Sequence, residues 1–180
     1  MYFAEFGASK LASIDPKTMQ VREYPLPNAN GRPRRIAITS DDAIWYTDYA
    51  RGYVGRFDPK TGSPREGSSP GGPNSGPYGI TTLGDDIWYS ESGPNPNALV
   101  RFDPQTEKFA TCAIPSGAGV VRNMTTTRDG KLVLACSGVE MTRVGGASRG
   151  LLELEPERQL ACRNPAGRVR ASPRRDKVEG

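Results

Sequence analysis

The chain has no histidine, three cysteines, two tryptophans and four methionines in 180 residues. Histidine is the side chain most often used as acid or base near neutral pH, so any catalysis here must run without it. The three cysteines, Cys112, Cys136 and Cys162, show no metal-type pair spacing, and their odd number cannot make a closed intramolecular disulfide framework. They read as ordinary thiols, with Cys112 and Cys136 able to pair if the fold brings them together. No long apolar run is present, and MYFAEFGASK at the start has no apolar stretch behind a basic opening. Neither a membrane span nor a signal peptide is therefore expected in this chain, which reads as soluble. Its compartment stays open, with periplasmic or secreted placement following only from a longer precursor. Apolar residues at helical spacing are lacking throughout residues 1–156 as well.

Charge of one sign is also missing from the body. The net charge is +4, but residues 1–156 carry 17 basic and 17 acidic residues, while 157–180 carry 7 and 3. A neutral body argues against a nucleic-acid surface, and the short arginine-rich end reads as a solvated, disordered tail.

Glycine and proline are abundant, 21 and 16 residues, which implies many short segments and turns. The segments AIWYTDYARGYVGRFDPKTG (43–62) and DIWYSESGPNPNALVRFDPQTE (86–107) match along their length, with Trp45 and Trp88 43 residues apart. YFAEFGASKLASIDPKT (2–18) is the same unit again, and a weaker fourth copy starts at LVLAC (132–136). Ahead of the later copies stand RRIAIT (34–39), YGITTL (78–83) and RNMTTT (122–127).

Runs rich in β-branched and aromatic residues, bounded by turns, predict three or four strands per unit and no helix. Asp41-Asp42, Asp85-Asp86 and Asp129-Gly130 are expected as hairpin connections between the first and second strands. Asp-Pro-x-Thr at 15–18, 58–61 and 103–106 closes the third strand, the Asp bonding nearby N–H groups and the Pro presetting φ. A repeat of about 40–45 residues with four strands is the signature of a β-propeller blade. The expected fold is all-β, an incomplete propeller of about three and a half blades over 1–156. Leu151-Leu152-Glu153-Leu154 is the candidate last strand. Trp45, Trp88, Ile44 and Ile87 are expected to pack blade against blade rather than bind a ligand.

With IWYTD, VGRFDPKTG, REYPLP and the P-x-G-I-type strand starts in view, residues 1 to about 155 resemble the streptogramin B lyase (virginiamycin B lyase) family of seven-bladed propellers. The resemblance suggests the later blades of such a ring, the first copy opening at a blade's second strand. It implies a carbon–oxygen lyase that opens a cyclic depsipeptide lactone by elimination, with Mg²⁺ stabilising the developing enolate. It also implies histidines at P-H-x-I strand starts. Those positions read Pro33-Arg34-Arg35-Ile36, Pro77-Tyr78-Gly79-Ile80 and Val121-Arg122-Asn123-Met124. Arginine stays protonated and cannot act as the base.

Asp48 and Glu91, each ending a WY[TS][DE] strand, are the remaining candidates for a base. Antiparallel pairing of the first and second strands brings Arg34 and Arg35 toward Asp48, Tyr78 toward Glu91, and Arg122 toward Cys136. A carboxylate beside arginine is a poorer base, so ion pairs and hydrogen bonds lining one channel mouth are the preferred reading. Glu5, Asp48 and Glu91 are the candidate ligands of a divalent cation at the same mouth. The loops at 67–79 and 92–97 are either binding loops or mobile surface connections.

Two functional readings follow. One is a binding or interaction module whose channel mouth engages a small molecule or peptide. The other is the Mg-dependent lyase. The missing histidine favours the first. An open set of blades leaves sheet faces uncovered, so missing blades or a second copy forming a homodimer would complete the ring.

Overall fold

The computed structural model describes residues 1–114, 119–137 and 151–154, the last of these as backbone alone. Fourteen strands are described: β1 Tyr2–Glu5, β2 Lys10–Ile14, β3 Val21–Pro25, β4 Pro33–Ile38, β5 Ile44–Asp48, β6 Tyr53–Asp58 and β7 Ser63–Ser68. They continue as β8 Pro77–Leu83, β9 Asp86–Glu91, β10 Ala98–Asp103, β11 Lys108–Ala113, β12 Val120–Thr126, β13 Leu132–Ser137 and β14 Leu151–Leu154. Four antiparallel sheets result, β1-β2-β3, β4-β5-β6-β7, β8-β9-β10-β11 and β12-β13-β14. They are the blades of an incomplete propeller, with β4, β8 and β12 innermost and in contact with one another in sequence. No helix occurs among the described residues. The expected basic tail at 157–180 and the whole stretch between β13 and β14 lie outside them.

Strand alternation explains the stack. Successive side chains of a strand point to opposite faces, so Ile44 and Tyr46 of β5 face the first blade while Trp45 and Thr47 face the third. Leu11, Leu26, Ile44, Tyr46 and Phe57 fill the first interface. Trp45, Val54, Ile80, Ile87, Tyr89, Val100 and Phe102 fill the second, and Trp88 enters the third with Leu99, Val121, Leu132 and Leu134. The two tryptophans therefore hold equivalent places, one interface apart.

A hydroxyl joins each pair of central blades where only the stack could supply its partner. Thr47 Oγ1 accepts from Arg35 N–H at 3.3 Å and donates to the Tyr78 carbonyl at 2.8 Å. Ser90 repeats this with Gly79 N–H at 3.0 Å and the Val121 carbonyl at 3.1 Å.

Turn chemistry follows the sequence closely. Asp15, Asp58 and Asp103 accept the backbone N–H two residues on at 2.8, 2.8 and 2.9 Å. These bonds hold all three carboxyls below their usual range, Asp103 with its strongest help from the Thr106 hydroxyl. One turn differs from expectation. Leu83 pairs with Asp86, so Gly84-Asp85 forms the connection and Asp86 opens β9. The third blade has one residue fewer here than the second, and Gly84 supplies the positive φ of 60° that the tighter turn needs. The reading of Cys112 as an ordinary thiol is also corrected, since it is disulfide-bonded. Chain spacing does not report a pairing made by tertiary proximity.

Candidate functional site

The inner strands β4, β8 and β12 share an irregularity. Each pairs in regular register with its neighbour and then inserts one extra residue, between Pro33 and Ile36, between Pro77 and Ile80, and between Val121 and Asn123. A bulge of this kind bends the strand and re-aims a side chain. Arg34, Tyr78 and Arg122 sit in or at these bulges, at the positions where the resemblance places histidine.

Arg34 lies between two rings, its guanidinium carbon 4.6 Å from the centroids of both Phe6 and Tyr78. It also donates through Nη2 to the Tyr78 hydroxyl. Its buried Nε has no hydrogen-bond partner among the described residues. Arg35 stands 5.7 Å over the Tyr78 ring and donates through Nε to the Arg122 carbonyl at 3.3 Å. Tyr49 meets Tyr78 edge-on at 5.6 Å. Among the described residues no carboxylate pairs with Arg34, Arg35 or Arg122. The cluster around Tyr78 is therefore built of cations and aromatic faces, an arrangement stabilised by ring quadrupoles.

The two acids expected beside these cations are employed elsewhere. Asp48 is fully buried at the end of β5, and its Oδ1 accepts from the N–H groups of Arg32, Ala50 and Arg51 at 2.9, 3.2 and 3.3 Å. Its Oδ2 faces Arg51 Nη1 at 3.1 Å, and the same Nη1 meets Glu66 at 2.8 Å. Glu66 in turn accepts from the Tyr46 hydroxyl at 3.0 Å, whose own ionisation is pushed up by burial. The expected approach of Arg34 and Arg35 to Asp48 is thus corrected. The bulge turns both guanidiniums toward Tyr78, and Arg51 takes the carboxylate.

Glu91 is equally buried, but its Oε1 accepts from the Ser69 hydroxyl and from Gly71 N–H at 2.9 Å, not from Tyr78. Ser69 also bonds the Tyr89 hydroxyl at 2.8 Å. Val121 is the cross-strand partner of Cys136, and Arg122 is the residue by which the register shifts there. Glu5 ends β1 opposite Lys10. Among the described residues no three His, Cys, Asp or Glu side chains are placed to hold a metal ion. Glu5, Asp48 and Glu91 are not brought together as a cation site among the described residues. The oxygens of Asp48 and Glu91 already cap backbone and side-chain donors, and the groups facing the mouth are cations.

The 67–79 segment is packed rather than a loose surface connection. A Cβ at Gly52, whose φ is +69°, would lie 2.0 Å from the Gly72 carbonyl oxygen, and one at Gly93 would lie 2.0 Å from that of Asn74. These close approaches clamp the loop from the second and third blades. Reading the sequence did not single out Phe6 and Tyr49, which are 39% and 41% exposed. The signal was available, because both directly follow a strand-ending acid and stand 43 residues apart.

The fold is that of an incomplete β-propeller, similar to the streptogramin-lyase-like propellers. Virginiamycin B lyase from Staphylococcus aureus is similar, with a TM-score of 0.66 and 28% identity over 74% of this chain and 44% of its own. A streptogramin B lyase structure gives 0.66 and 26% over 75% and 44%. A catalytically inactive histidine-to-alanine form of the Staphylococcus aureus lyase, with Quinupristin, gives 0.66 and 28% over 74% and 44%. This chain spans less than half the length of these proteins. No protein-family model and no curated protein matches it.

Proposed function

We propose that the chain is a binding or interaction module whose channel mouth engages a small molecule or peptide through an anionic group. The observation that carries this is the absence of any carboxylate on Arg34, Arg35 and Arg122 among the described residues. Arg34 and Arg35 are held by aromatic faces and neutral acceptors, which orient a guanidinium without neutralising it. A carboxylate arriving at such a group forms a charge-assisted, bidentate pair. The exposed rings of Phe6 and Tyr49 add apolar contact beside it.

The similarity to virginiamycin B lyase supports a second reading, a carbon–oxygen lyase acting on a cyclic depsipeptide lactone. A histidine is required in the relative whose alanine form is inactive, and this chain has none. The open stack of four sheets further leads us to propose that additional blades or a second copy of the chain complete the ring.

The test has two arms. Calorimetric titration with the acidic tripeptide Glu-Tyr-Glu is expected to give saturable binding, weakened about tenfold by Arg34→Ala, which corresponds to about 1.4 kcal/mol. Added salt should weaken it further. In parallel the protein is incubated with a cyclic depsipeptide lactone, with and without Mg²⁺. No ring-opened product is expected. Metal-dependent product that disappears in Glu91→Gln would replace the binding reading with the lyase.

A further inference from the structure

The first and second blade interfaces are built from equivalent positions, and a ring closes the first but not the second. In the first, Tyr24 on the outer strand β3 packs against Phe57 of the next blade, ring centroids 4.8 Å apart. The register Leu11↔Tyr24 is repeated as Val54↔Gly67, each residue 43 further on. Phe102 takes the place of Phe57, each standing opposite the equivalent Ile87 or Ile44. Gly67 therefore brings no side chain to Phe102, and a Cβ there would meet nothing within 4 Å.

A cleft of about 740 Å³ opens at this point, a volume in the range of small-molecule sites. Part of its lining is aromatic, with Phe102 set between Trp45 at 5.4 Å and Phe109 at 4.7 Å. Its charged lining has four carboxylates, Asp41, Glu66, Asp85 and Glu107, against the guanidiniums of Arg56 and Arg65. Arg56 is bound to Asp41 at 2.8 Å, and Glu66 is bound at 2.8 Å to Arg51, which lies outside the cleft. Asp85 accepts from the Ser40 N–H at 2.9 Å and the Ser40 hydroxyl at 2.8 Å, which fix its carboxylate at the cleft without neutralising it. Among the described residues Asp85, Glu107 and Arg65 stand in no ion pair. Two uncompensated carboxylates thus outweigh one guanidinium beside three aromatic side chains. Carboxylates attract a cation by charge and ring faces attract it through their quadrupole, tryptophan most strongly. A hydrated metal ion gains little from such rings, whereas an alkylated ammonium also buries its apolar groups against them.

We propose that this inter-blade cleft is a ligand site for a small organic cation, an alkylated or quaternary ammonium. Its alkyl groups lie against Trp45, Phe102 and Phe109, in the space that Tyr24 fills in the first interface, and Asp85 and Glu107 supply the countercharge. The cluster around Tyr78 presents arginines and contributes no residue to this cleft, so the two sites take ligands of opposite charge.

Calorimetric titration with tetramethylammonium at fixed ionic strength tests it, with tert-butanol as the uncharged control of similar shape and sodium as the cation without alkyl groups. Saturable binding of tetramethylammonium is expected, about tenfold or more tighter than either control. Replacing both acids, Asp85→Asn with Glu107→Gln, should weaken it several-fold, and Arg65→Ala should tighten it by removing a like charge. Gly67→Tyr fills the space from the chain itself, so binding should fall about tenfold or more. Binding of Glu-Tyr-Glu should be the same in these variants and in saturating tetramethylammonium, which separates the cleft from the arginine cluster. Absence of saturable binding, equal affinity for a control, no gain in Arg65→Ala, or undiminished binding in a folded Gly67→Tyr protein would overturn the proposal. If Gly67→Tyr fails to fold, unchanged affinity in the variant lacking both acids overturns it equally.

Discussion

Asp48 and Glu91 occupy the same position in adjacent blades, both are buried, and they solve the cost of a buried carboxylate differently. Asp48 accepts three backbone N–H groups and shares Arg51 with Glu66. Glu91 is met by a hydroxyl and one backbone N–H, with no cation on it among the described residues. The repeat sets where an acid stands, at the end of the second strand. The loop that arrives from elsewhere sets its partner: Arg51 belongs to the β5–β6 turn, whereas Ser69 and Gly71 belong to the connection between blades. Position within the repeat alone therefore does not define the chemistry of either acid.

The largest effect should come from breaking the charged version. Asp48→Asn can keep an oxygen toward the backbone donors but must then point an amide N–H at Arg51. Unfolding by urea should show a loss of about 3 kcal/mol, in the range for breaking a buried pair. Glu91→Gln keeps the accepting oxygen for Ser69 and Gly71, so about 1 kcal/mol or less is expected. Equal losses at the two positions would erase the distinction between them.

An intermediate effect concerns the hydroxyls one residue before each acid. Thr47→Val and Ser90→Ala each remove an inter-blade bond and leave the Tyr78 or Val121 carbonyl unmatched. Each should lower stability by about 1–2 kcal/mol in the same denaturation experiment. Similar values would mark this feature as common to both blades, in contrast to the acids. Proteolysis confined to one interface in one variant would show instead that the interfaces open independently.

The smallest effect lies in the exposed turns. Asp41 is held down to about 2, first by the Thr39 hydroxyl and then by Arg56, and Asp15, Asp58 and Asp103 are lowered too. A carboxyl whose folded value lies below its unfolded one stabilises above the unfolded value, and this is lost as pH falls through the folded one. For Asp41 the loss spans about pH 4 to about 2. Thermal midpoints should fall across that window, and Asp41→Asn should flatten the slope only slightly, because the side chain is 56% exposed.

The blade interior was legible because its causes are local. Alternating side chains in IWYTD and DIWYSE specify which residues face which neighbour, and Asp-Pro-x-Thr specifies a turn within four residues. The cluster around Tyr78 was half legible. The repeat places Arg34, Tyr78 and Arg122 at equivalent register shifts of their inner strands, but the bulge that swings Arg34 and Arg35 onto Tyr78 depends on an extra residue in the register. The pairing of Asp48 with Arg51 rather than Arg34 was not legible for the same reason.

The amino-acid order alone determined the all-β class, the 43-residue unit and the inter-blade role of Trp45 and Trp88, since strand period, turn residues and apolar spacing act over a few residues. Only the stacked structure decided which donor reaches each buried acid and that Cys112 is disulfide-bonded. Those outcomes depend on groups that meet across blades, and a distance between separate sheets has no counterpart in separation along the chain.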